Sequence, residues 1–67
     1  MQGTRYPQIT VELTGHDGNA FAIIGNVARV LRNEVGPAVS AEFTNEARDS
    51  GSYDELLRLV MRWVNVA

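Results

Sequence analysis

Apolar positions recur most regularly between Gly18 and Gly36. Ile24, Val27, Leu31 and Val35 follow one another at spacings of three and four, and Ile23, Ala28 and Val30 broaden the stripe. Residues at those spacings share one face of a helix, so the stretch predicts a long helix. Its polar face is narrow, with Asn26, Arg29 and Asn33 and with Arg32 at the edge. Apolar residues around most of its first two turns imply burial on more than one side. Asp17 or Asn19 is placed to cap it by accepting bonds from free N–H groups of the first turn. Gly36-Pro37 reads as a left-handed cap followed by a residue that cannot continue the ladder. Gly25 inside the helix costs about 1 kcal/mol of helix propensity relative to alanine. It calls for close packing, an open surface position, or a kink or binding role.

Before this helix, Gln8 to Thr14 alternates polar and apolar, placing Ile9, Val11 and Leu13 towards a core. Period two and β-branched residues predict a half-buried strand ending at Gly15. After the helix, Pro37 to Arg48 suits a second, shorter helix with Val39, Phe43 and Ala47 inward and Glu42 and Glu46 outward. Asp49-Ser50-Gly51 breaks it. Ser52-Tyr53-Asp54-Glu55 is a capping-box pattern that opens a third helix, with Tyr53, Leu56, Leu57, Val60 and Val64 near one face. Trp63 to Val66 either ends that helix or switches to a short strand; alternation of Val64 and Val66 favours the strand, paired with Ile9 to Leu13. A lone strand would leave both its edges unsatisfied. The expected fold is α+β, with three helices on a small two-stranded sheet in the order β-α-α-α-β. The alternative is a mainly helical three-helix domain with one N-terminal strand. Met1 to Tyr6 is expected to fray.

Composition narrows the class of object. Sixty-seven residues make one domain, 45% hydrophobic and without cysteine. A chain of this size buries only about 60% of its unfolded surface. With no disulfide or thiolate metal site to help, a second subunit becomes a real option. Six arginines stand against eight acidic residues, for a net charge of −2. That balance lacks the basic excess of a sequence-independent nucleic-acid binder. No apolar run has membrane-spanning length, and the N-terminus lacks the basic start and apolar core of a signal peptide, so the expected location is cytoplasmic.

No motif names a chemistry. His16, the single histidine, stands beside Asp17 without an activated nucleophile or spaced metal partners. The loop Gly15-His16-Asp17-Gly18-Asn19 lacks the Gly-Lys-Ser/Thr ending of a phosphate loop and the three-glycine dinucleotide fingerprint. No glutamate closes a calcium loop after Asp17 and Asn19. Gly15, Asp17, Gly18 and Asn19 therefore read as structural turn residues, with no cofactor, no metal and no enzyme expected. Two arginine pairs, Arg29 with Arg32 and Arg58 with Arg62, would form one basic surface if the first and third helices align. Phe21, Phe43 and Tyr53 are expected in the core, and a partly exposed Trp63 is expected to anchor an interface.

Leu13 to Ile23, Tyr53 to Leu57 and Met61 to Val66 together resemble a group of small uncharacterised proteins of actinobacteria and their bacteriophages. The resemblance spans Val11 to Val66 and implies a bacterial or phage accessory protein, with no activity, ligand or site residue to carry over. The expected function is a non-enzymatic interaction module binding itself or another protein. A nucleic-acid-binding regulator using the four arginines is the alternative, although Tyr53-Asp54-Glu55 would turn carboxylates towards phosphates.

Overall fold

The computed structural model describes residues 3–13 and 19–67. The turn residues Gly15, Asp17 and Gly18, together with His16, lie outside them. The elements run β1 (Tyr6–Val11), α1 (Ala20–Glu34), α2 (Pro37–Arg48), α3 (Tyr53–Trp63) and β2 (Val64–Val66). This is the expected β-α-α-α-β order, and β1 and β2 pair in parallel.

Asn19 is the cap that opens α1. Its side-chain oxygen accepts from the Phe21 N–H at 2.8 Å and the Ala22 N–H at 3.4 Å. Replacing it by alanine is expected to cost about 1 kcal/mol, seen as a lower urea midpoint, whereas Asn19→Asp retains the acceptor and most of the stability. An unchanged midpoint for Asn19→Ala would show that the cap contributes nothing. Ser52 opens α3 by accepting from the Glu55 N–H at 3.2 Å. The reciprocal half of the box is displaced by one residue, because the Glu55 carboxylate accepts from the Gly51 N–H at 2.8 Å.

Between α1 and α2, Gly36 does not take the left-handed helical conformation. At φ 158° and ψ 166° it is nearly extended; Val35 caps α1, and Pro37 starts α2 at its first position. The two helices are then tied to each other by Ser40, in the first turn of α2. Its hydroxyl is buried and donates to the Ala28 carbonyl at 2.8 Å.

The core gathers Ile9 and Val11 from β1, Ile23, Val27 and Leu31 from α1, Phe43 and Ala47 from α2, and Leu56, Leu59, Val60, Trp63 and Val64 from the C-terminal end. Only one stripe of α1 is buried; Ile24, Ala28 and Val30 are half-covered, and Val35 is exposed. Helix α1 is therefore one-sided, in contrast to the multi-sided burial its composition suggests.

The strand begins earlier than its alternation suggests, at Tyr6, and Leu13 lies half-buried beyond its end. Pro7 has no N–H to give the ladder. The register accordingly shifts between the pairs Tyr6–Val64 and Thr10–Asn65, and the Asn65 side-chain amide donates to the Pro7 carbonyl in that gap. Nor is the lead into β1 frayed from Thr4 onward. The Thr4 hydroxyl donates to the Met61 carbonyl at 3.0 Å, and the Arg5 N–H donates to the Arg62 carbonyl at 2.8 Å. Both acceptors are carbonyls at the end of α3, which have no partner within the helix.

Candidate functional site

Trp63 is the largest correction to the expected site. Its side chain is 1% exposed, so it anchors the interior and offers no surface to a partner. Strand alternation would set it opposite Val64, but Trp63 is the last residue of α3 and Val64 is already extended, with φ −141° and ψ 164°. A change of period at that junction lets two consecutive residues face the core. Tyr6 stacks on the indole with centroids 6.2 Å apart, and Phe43 meets it edge-on at 5.6 Å. The Arg5 guanidinium lies over the ring at 4.2 Å, and the indole N–H donates to a Glu46 carboxylate oxygen at 3.3 Å.

The large apolar side chains that do reach the surface are others. Phe21 is 84% exposed and Tyr53 is 44% exposed, although both are expected in the core from their identity alone. They stand on the rim of a groove of about 320 Å³ between the start of α1 and the α2–α3 turn. Ile24, Ala47 and Leu56 form its apolar floor, and Arg48 stands at one side. The signal that finds Phe21 in the sequence is its row. One and two helical turns on, at a spacing of four, lie Gly25 and Arg29, so that row cannot be a core stripe.

The two arginine pairs occupy different settings. Arg58 and Arg62 line a cleft of about 380 Å³ together with Glu46, Asp49 and Glu55. Three carboxylates against two guanidinium groups leave that cleft with no positive excess, which suits a phosphate backbone poorly. Arg29 and Arg32 do not line it; they sit on the exposed side of α1, where Arg29 donates to the Asn26 side-chain oxygen at 2.6 Å. Among the described residues, no group of three or more histidine, aspartate or glutamate side chains is placed to hold a metal, and no helix is long and apolar enough to cross a membrane.

Compared with protein-family models, curated proteins and solved structures, the chain matches none.

Proposed function

We propose that the protein is a non-enzymatic interaction module that associates with itself, with the exposed end of α1 as its contact face. The observation that carries this reading is Phe21, a full aromatic ring held 84% exposed beside an apolar groove. Contiguous exposed apolar surface marks interaction sites, and Phe21 adjoins the apolar floor of the groove. The small core of a 67-residue chain without cysteine adds to it, since such a chain gains in proportion more from a second subunit than a larger one does. An accessory role in a bacterium or bacteriophage is in keeping with the resemblance carried by Leu13 to Ile23 and Met61 to Val66.

Solution mass measured by light scattering over a wide concentration range tests the reading. The wild-type chain is expected to move from one to two copies as concentration rises. Phe21→Ser is expected to stay at one copy while keeping the same helical circular-dichroism signal. A single-copy mass for the wild type at every concentration would reject self-association.

A further inference from the structure

Helix α1 carries a ridge that the fold of one chain does not use. Phe21, Gly25 and Arg29 are spaced by four, so they lie one above another along the helix, and all three are exposed. Gly25 stands at the middle of this ridge. A Cβ added there would meet nothing within 4 Å, so among the described residues the backbone is bare and no neighbour requires a glycine. A glycine inside a helix weakens it relative to alanine. One turn towards the N-terminus is an uncovered ring. One turn towards the C-terminus is a guanidinium, steadied by its bond to the Asn26 side chain at 2.6 Å.

We propose that this ridge packs against the same ridge of a second copy, antiparallel, with a two-fold axis passing at Gly25. The inference rests on the self-association reading above and specifies its geometry. The ridge itself selects the occupant. A two-fold axis at position 25 carries position 21 of one chain onto position 29 of the other. Each Phe21 ring then lies against the partner subunit's Arg29, twice per dimer, and no like charges meet along the ridge. A guanidinium over an aromatic face is attractive, more so once water is excluded. Rows of residues spaced by four interdigitate in the commonest class of helix packing. At the crossing, the two bare glycines let the helix backbones approach closely. The contact is confined to one helix face, so the dimer is a weak and concentration-dependent one.

Because the chain has no cysteine, a single introduced thiol reports where two copies meet. Gly25→Cys is expected to form a disulfide-linked dimer under mild oxidation at least tenfold faster than Asn33→Cys, which is exposed on the same helix two turns away. Gly25→Leu is expected to hold or raise the melting temperature of the dilute single chain while weakening dimerisation at least tenfold. Arg29→Glu is expected to weaken dimerisation similarly with the fold intact. If the wild type is dimeric but the two cysteine variants crosslink at equal rates, the copies meet elsewhere; the ridge is then wrong and self-association stands. A dimer unaffected by Gly25→Leu likewise rejects the ridge and leaves self-association standing. A wild-type mass of one copy at all concentrations overturns both.

Discussion

Trp63→Ala is expected to destabilise the protein by about 3–5 kcal/mol, the range for removing a large buried aromatic side chain. The indole is 1% exposed and meets residues from two other segments: Arg5 and Tyr6 at the entry to β1, and Phe43 and Glu46 on α2. Its removal opens a cavity among groups that are fixed by separate elements, which limits how far they can collapse. Domains are stable by roughly 0.05–0.15 kcal/mol per residue. A 67-residue chain therefore has about 3–10 kcal/mol in total, and this one change removes much or all of it. Trp63→Phe keeps a ring against Tyr6 and Phe43 but gives up the N–H bond to Glu46. Urea unfolding followed by circular dichroism should place it between wild type and Trp63→Ala. A midpoint for Trp63→Ala close to that of the wild type would contradict the central place given to the indole.

A chain that begins at Tyr6 should lose about 2–3 kcal/mol relative to the full sequence, summing two hydrogen bonds of about 1 kcal/mol each and one cation–π contact. The bonds are those from the Thr4 hydroxyl and the Arg5 N–H to carbonyls of Met61 and Arg62, and the contact is Arg5 over Trp63. Truncation also leaves the last carbonyls of α3 to water. Arg5→Ala in the full-length chain separates the parts: it removes the guanidinium and retains the backbone bond, so its effect should be the smaller. Equal stability of the truncated and full chains in urea would show that the lead is ornamental.

Much of the fold is legible in the sequence because local signals and the global arrangement agree there. Pro37 and Asp49 bound α2 by backbone chemistry alone, and Ser52 with Glu55 marks the start of α3 whatever packs on it. The pairing of β1 with β2 follows from two short apolar alternations, whereas its parallel sense is seen only in the fold. The site was less legible, for two physical reasons. Trp63 stands where the period changes from helix to strand, and an alternation read across such a junction assigns the wrong face. Phe21 shows that an apolar residue on an amphipathic helix is buried by its angle and not by its type. The stripe can be drawn through Ile23 or Ile24, and the choice rotates every flanking residue. Tertiary packing fixes it at Ile23, Val27 and Leu31, leaving Phe21 outside.

The pairing of β1 with β2 also sets a timetable. Strand β2 follows β1 with all three helices between them, so the two cannot meet until those helices have been made. At the usual rate of about 5–20 residues per second, β1 waits roughly 3–10 s for its partner on a chain emerging from the ribosome. During that interval it is an unpaired strand, the kind of segment that aggregates. Pro7, Gln8 and Thr10 along it and Glu12 just beyond its end are exposed in the finished fold, and in the nascent chain the same proline and polar side chains discourage pairing with a neighbour. The polar face of β1 thus protects the protein before the fold exists.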